Sequence, residues 1–541
     1  MSARRYYGVC TGGKSVKKYI RILIAAIIGS AAVVEYIFYS DGHTAVNATV
    51  YYTSLCLAFF LAVGLPPKGA RSRGFQYFLM GSVLAISLMF VLFDNRGLRF
   101  TNGAVILLLM GFLFLERIDV KRCGVGQNGF LPEVILGYIL RPFVCLADPV
   151  KEGIEVFSKK TGEGETAKKR IGIILIQIGI AILVGIPVVF ILAIILMSSD
   201  PVFADWFSGF YNFFKELFSV RAIVRGILTF VLLPFSASVL FSYVNRRVFF
   251  QNFSDALEKK PLRIPGFSAV TLLVLINALY LVYAMIQSVY LFGAWAENLP
   301  GNLTYAQYAR QGFFELAFIS AINAFMILIA IRYTKREGRV GHTIRCLSVL
   351  LILLSFVQLF SAFRRMTLYI RAYGLSEDRF LVSSFIILLG VLFILLGIRE
   401  FSEHFPLLKV SLVAGVLALI LVNVCVPGRI VANYNINRYL QDELKSLDTR
   451  YLQRLSSDSL IVLLENEKEL RETGDETVTE SMDDVHEFIC VYYLGEENSD
   501  YEHSDHRYDS HEVGSYREAM EQSWKGFNLS KHRLMMISGK D

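Results

Sequence analysis

The sequence predicts an all-α fold: a polytopic transmembrane helical bundle of about 11 spans with a small, mostly helical C-terminal extramembrane domain. Three observations predict it. Hydrophobic residues fill 54% of the 541 positions and charged residues only 19%, too apolar a balance for a soluble multidomain enzyme. Apolar stretches long enough to cross a hydrocarbon core of roughly 30 Å, which takes about 20 residues, recur in series from Ile20 to Val426. From Pro427 onward the chain turns acidic, with 13 Lys plus Arg against 24 Asp plus Glu.

A basic tail over residues 1–19 precedes four spans within 20–116, at 20–40, 46–65, 75–93 and 98–115. Residues 117–170 form a basic loop. Its apolar stretch 130–147 carries Glu133, Arg141, Pro132 and Pro142 and reads as an interfacial or re-entrant segment, not a crossing. Seven further spans occupy 171–426, at 171–197, 222–244, 267–292, 313–331, 343–363, 380–398 and 407–426. Residues 427–541 form the acidic extramembrane domain.

Short cytoplasmic loops retain Lys and Arg. Arg4, Arg5, Lys14, Lys17, Lys18 and Arg21 therefore place the N-terminus inside, and basic clusters in alternate loops agree. The exception is 364–379, four arginines in a loop counted as outside. Eleven crossings put the C-terminal domain outside the cell (inner) membrane; a full crossing by 130–147 would invert everything after it. The first apolar stretch is too long for a cleaved leader and reads as a signal anchor.

Within the C-terminal domain, 434–455 reads as helical, and Ser456, Ser457 and Asp458 as an N-cap ahead of Leu460 to Leu464. The acidic, Thr-rich stretch 473–481 and the polar stretch 496–515 read as solvated loops. Of seven cysteines none forms a CxxC pair, and only Cys425 and Cys490 could share an oxidising side and a disulfide.

Few motifs carry chemistry. Gly8 to Ser15 match GxxxxGKS, yet no strand delivers the loop, so the segment reads as a basic tail on anionic headgroups. His503, His506 and His511 sit among carboxylates without a rigid scaffold, and His486 beside Asp483 and Asp484 is unremarkable. We therefore expect no metal, no cofactor, no catalytic residue and no nucleic-acid partner; the expected partner is the lipid bilayer.

Polar groups inside spans are costly unless paired or lining a cavity. Glu35, Gln177, Asn277, Gln287, Glu315, Asn323, Gln358 and Asn423 are the examples. Interhelical hydrogen bonding suits the amides, whereas Glu315 needs a cationic partner, Arg310 or an arginine of the 364–379 segment. Four polar segments fall on the expected outer face, at 199–203, 304–313, 363–375 and 432–438. Their Tyr305, Tyr308, Arg310, Arg364, Arg365, Tyr369, Tyr373, Tyr434 and Asn435, with Glu315 and Arg379, are the candidate ligand or partner residues. Tyrosine at headgroup depth and forked guanidinium groups suit an aromatic belt, or a pocket for an anionic lipid headgroup, glycan or envelope protein.

The same segments carry a resemblance. DPVFA, TYAQYARQGFFEL, FRRMTLYIRAYGLSEDRF, VANYNINRYL and the terminal SWKGFNLSKHR resemble blocks of bacterial multipass membrane proteins grouped as domain-of-unknown-function family 4173, related to family 4153. Asn433 stands where that pattern has arginine and Ser376 where it has threonine. The resemblance implies a bacterial inner-membrane location and no established activity. Three classes stay open: a non-enzymatic envelope protein presenting the tyrosine and arginine face; a transporter or lipid translocator using Glu315, Asn323 and 364–379; and an enzyme on a lipid-linked substrate, for which Asp41 alone stands on the first outer loop.

Overall fold

The computed structural model describes residues 16–38, 45–65, 73–118, 130–161, 220–247, 249, 264–293, 313–334, 336, 338–494, 517 and 527–538. Among them there is no strand, only an isolated bridge between Ile264 and Thr334. The helices are α1 (Val16–Phe38), α2 (Val46–Val63), α3 (Arg73–Leu92), α4 (Arg99–Ile118), α5 (Phe130–Val144), α6 (Asp148–Thr161), α7 (Val220–Val244), α8 (Gly266–Gly293), α9 (Phe313–Tyr333), α10 (Gly338–Tyr373), α11 (Glu377–Phe401) and α12 (Leu407–Val424). The C-terminal helices follow: α13 (Pro427–Leu440), α14 (Thr449–Leu455), α15 (Ser457–Glu465), α16 (Glu467–Glu472), α17 (Glu476–Ile489) and α18 (Leu529–Ser538).

Ten described helices are long and apolar enough to cross a membrane, one at each expected span except 171–197. That span lies outside the described residues, as do 8–15, 199–203, 304–312 and the histidines of 496–515. The protein is an integral, multipass membrane protein.

Two compact units form, one from residues within 1–84 and 106–252, the other from 85–105 and 253–541. In the first, α1 packs on α2 and α7. Phe59 stacks on Phe114 with centroids 3.8 Å apart, and Tyr243 meets Phe114 edge-on. Arg117 donates to the carbonyls of Val63, Gly64 and Leu65, satisfying the orphan acceptors at the end of α2. Glu35 pairs with Arg225 at 3.4 Å.

In the second unit the intramembrane amides bridge helices. Asn323 of α9 donates to Ser355 and Gln358 of α10 and accepts from Tyr280 of α8. Asn277 of α8 donates to the Leu347 carbonyl at 3.1 Å. At the far end Arg336 forks onto Glu400, whose side chain is fully buried.

Three expectations are corrected. The arginine-rich 364–373 is not a loop: it continues α10, a 36-residue helix about 54 Å long, because nothing after Gly341 interrupts a run of helix-forming residues. Only Gly374 to Ser376 turn the chain, and Ser376 caps α11 by accepting from the Arg379 N–H. The stretch 434–455 is two helices, α13 and α14, parted after Asp442, whose φ is +59°. Residues 476–481, expected in a solvated loop, start α17, capped by Asp475 and burying Val478, Met482, Val485 and Ile489; that spacing places all four on one face. Cys425 and Cys490, the pair that could share an oxidising side, are not joined in a disulfide. The expected cap of α15 is present: Ser456 and Ser459 form a reciprocal capping box.

Candidate functional site

The described part of the tyrosine and arginine face centres on the α10–α11 turn. Gly374 adopts φ +78°, and a Cβ there would lie 2.6 Å from Asn435 Oδ1, so the position requires glycine. Asn435, on α13, grips the turn from both sides: Oδ1 accepts the Leu375 N–H at 2.8 Å and Nδ2 donates to its carbonyl at 2.7 Å. The Arg379 guanidinium lies 4.0 Å from the Tyr369 ring centre and donates to the Tyr373 and Gly374 carbonyls. Arg438 donates to the Arg371 carbonyl at 2.8 Å and pairs with Glu443.

These contacts satisfy the last carbonyls of α10. Tyr369 meets Tyr373 edge-on, and Tyr373 and Arg371 are exposed, whereas Arg364 and Arg365 are half-buried and partnered. Tyr434 lies under Arg438 at 5.6 Å. Tyr305, Tyr308 and Arg310 lie outside the described residues; Glu315 lies in the first turn of α9, and its side chain is not among the described ones.

A second, more deeply buried cluster adjoins this face and was not expected from the sequence. The short link between α3 and α4 carries Asp94, Asn95 and Arg96, and Arg99 opens α4. The Asp94 side chain is fully buried. One oxygen accepts from Arg99 at 2.6 Å; the other lies 3.5 Å from Arg96 Nε and accepts the Ser457 N–H at 3.2 Å. Asp94 thus faces the N-terminal end of α15, where a helix favours negative charge. Ser457 Oγ, also buried, has no hydrogen-bond partner among the described residues.

The chain's last described segment closes the cluster. Asn528 donates to the carbonyls of Phe90 and Phe93, and Ser530 to that of Leu92, so a segment more than 430 positions away caps α3. Ser530 also donates to Asp458 at 2.9 Å. A π-helical turn, Cys490–Leu494, brings the buried Tyr493 hydroxyl 3.3 Å from Arg96. Below, the amides of Asn102 and Asn423 exchange hydrogen bonds at 2.8 and 3.0 Å, and Asn95 donates to the Asn423 carbonyl. Gly97 makes room for Glu377, whose carboxylate would lie 2.6 Å from a Cβ there.

Charge and burial set the protonation states. Burial alone would push the Asp94 carboxyl up, but Lys531, Arg96, Arg99 and the Ser457 N–H together hold it below the usual range. Burial lowers the Lys531 ammonium to about 8, against the opposing pull of Asp94. Asp458 is raised by burial, partly countered by Ser530 and the Asp94 N–H. At neutral pH the arrangement holds a charged Asp94 and Lys531 out of water, fastening the α3–α4 link, α15 and α18 together.

A family model described as "Domain of unknown function (DUF4153)" matches residues 80–466, more than two thirds of the chain. The chain belongs to the DUF4153 family. No curated protein and no solved structure matches it. The DUF4153 region includes Asp94, Arg96, Arg99, the α10–α11 turn, Asn435 and Asp458; Tyr493 and the 528–531 segment lie beyond it. The match is to the family that the sequence resemblance named as a relative of 4173.

Proposed function

We propose that the protein is a non-enzymatic envelope protein that presents the tyrosine- and arginine-rich end of α10 to an anionic ligand, a phosphate- or carboxylate-bearing lipid headgroup in the first instance. The observation that carries this reading is the length of α10. At about 54 Å against a hydrocarbon core of roughly 30 Å, a helix of 36 residues extends well past the acyl chains. Arg364, Arg365, Tyr369, Arg371 and Tyr373 occupy its last three turns. Rings at headgroup depth beside forked guanidinium groups suit an anionic headgroup. The clamp by Asn435, Arg379 and Arg438 pre-organises that end.

In this reading the N-terminus is cytoplasmic, the C-terminal helices lie on the outer face of a bacterial inner membrane, and the chain sits in the 4173 branch of the family. The test is thermal unfolding of the full chain in detergent with added phosphatidylglycerol or phosphatidylcholine. Ligand at a hundred times its Kd stabilises by about 2.7 kcal/mol. Stabilisation by the anionic lipid alone, lost when Arg371→Gln is combined with Tyr373→Ala, is the expected result. Equal stabilisation of the variant, or none of the native protein, would overturn the reading.

A further inference from the structure

The first unit contains a helix whose two faces contradict each other in character. On α5, Ile135, Ile139 and Phe143 are 56, 60 and 65% exposed, and Leu136 joins them at helical spacing. The opposite side buries Val134, Glu133 and Arg141. Glu133 and Arg141 form a fully buried ion pair, and Gly137 between them leaves space that a Cβ would narrow to 3.4 Å from each side chain. Arg141 also lies 4.2 Å from the Tyr243 ring centre and donates to Ser242 of α7 and to the Arg247 carbonyl.

Both flanks of α5 meet the same end of α7. Glu133 accepts the Phe249 N–H at 2.9 Å. After the α5–α6 turn, Asp148 pairs with Arg247 at 2.9 Å, and the Pro149 carbonyl accepts from Tyr19 near the start of α1. Between these flanks the helix reaches inward: Ser238 Oγ donates to the Pro142 carbonyl at 2.9 Å, and Phe143 meets Phe235 edge-on at 5.7 Å. Ser238 lies six residues before the end of α7 at Val244, so α5 reaches about 9 Å inside that end of the span. Fifteen residues make about 22 Å of helix, short of the roughly 30 Å a crossing needs.

We propose that α5 and the turn after it form a re-entrant hairpin that dips into a single leaflet, with Ile135, Leu136, Ile139 and Phe143 seated against lipid acyl chains. The acyl chains are the occupant because the span that α5 packs against is itself apolar and bare on part of its surface, with Ile227, Leu228 and Phe230 of α7 exposed, as the lipid-facing side of a membrane helix is. Backbone groups freed at such depth survive only where protein satisfies them. Ser238 does this for the carbonyls of Arg141 and Pro142 at the end of α5, and the Arg141 charge is neutralised by Glu133 on the protein-facing side.

The test uses the full chain in liposomes, with an environment-sensitive fluorophore on single cysteines replacing Ile139 or Phe143 in a background without native cysteines, and Glu155 on α6 as the aqueous reference. Nitroxide lipids labelled part-way down the acyl chain should quench the probe at 139 and 143 several-fold more than a water-soluble nitroxide does, with the order reversed at 155. Lipids labelled at the chain terminus should quench position 143 less than the shallower label does. Strong aqueous quenching at 143 would overturn the hairpin. Protection from both quenchers would overturn the lipid contact by showing the face covered by protein, a second copy included. Strongest quenching by the chain-terminal label would overturn the single-leaflet depth. Should either variant fail to fold, Ile135→Cys on the same exposed face takes its place.

Discussion

Asp94→Asn tests the central claim that one buried carboxylate fastens the C-terminal helices to the α3–α4 link. The amide keeps the shape and can still accept the Ser457 N–H, but it leaves Arg96, Arg99 and Lys531 facing one another. Removing one partner of a buried ion pair destabilises by about 3–5 kcal/mol. Arg96 and Arg99 are 32 and 25% exposed, and water will screen part of their repulsion, so the lower figure, about 3 kcal/mol, applies. That corresponds to roughly a hundredfold larger open population at 1.36 kcal/mol per decade. Limited trypsin cleavage in detergent reads it, since cleavage follows the open population when opening is fast. Adding Lys531→Met to Asp94→Asn should recover a substantial part of the loss, because the most deeply buried cation of the three is gone. A single variant cleaved within about threefold of the native rate, or a double variant whose losses simply add, would refute the reasoning.

Lys531 also sets a pH dependence. Its folded-state value is lowered from 10.5 to about 8, so between those limits the unfolded chain binds the extra proton and stability rises with pH. Denaturation of native protein across pH 8 to 10 should show that rise, and Lys531→Met should flatten it. Gly374→Ala should cost about 1–2 kcal/mol for the left-handed backbone, and more once the Asn435 clamp is displaced, read as a lower unfolding temperature. Asn323→Leu removes three interhelical hydrogen bonds, each worth about 0.6 kcal/mol in a membrane. The expected loss of about 2 kcal/mol is measurable by unfolding in mixed detergent.

The spans were legible because hydropathy over twenty residues is a local property, and so was the Ser456 cap. The end of α10 was misread because arginine and tyrosine were weighed as loop residues, although no glycine or proline broke the helical run before Gly374. In α17 the acidic and threonine content masked a regular apolar spacing from Val478 to Ile489. Asn435 was singled out for a ligand, and it spends both ends of its amide on the Leu375 backbone. The Asp94 cluster could not be read at all, since its members come from positions near 94, 458, 493 and 531 and no local pattern links them. Its faint signals were three charged residues, Asp94, Arg96 and Arg99, crowded into a short link between two spans, and the tail block FNLSKHR, which entered only as part of a resemblance.

The unbroken run of α10 has a mechanical consequence. Between His342 and Tyr373 it contains neither proline nor glycine, the usual points at which a helix bends. One end is held near the Arg336–Glu400 fork and the other by the Asn435 clamp. A rod of about 54 Å tilted by about 5° at its base displaces its tip by about 5 Å, more than the width of a hydrogen bond. Lacking such a bend point, the helix would pass a small rotation at its base to the α10–α11 corner as a shift large enough to make or break the contacts that grip it.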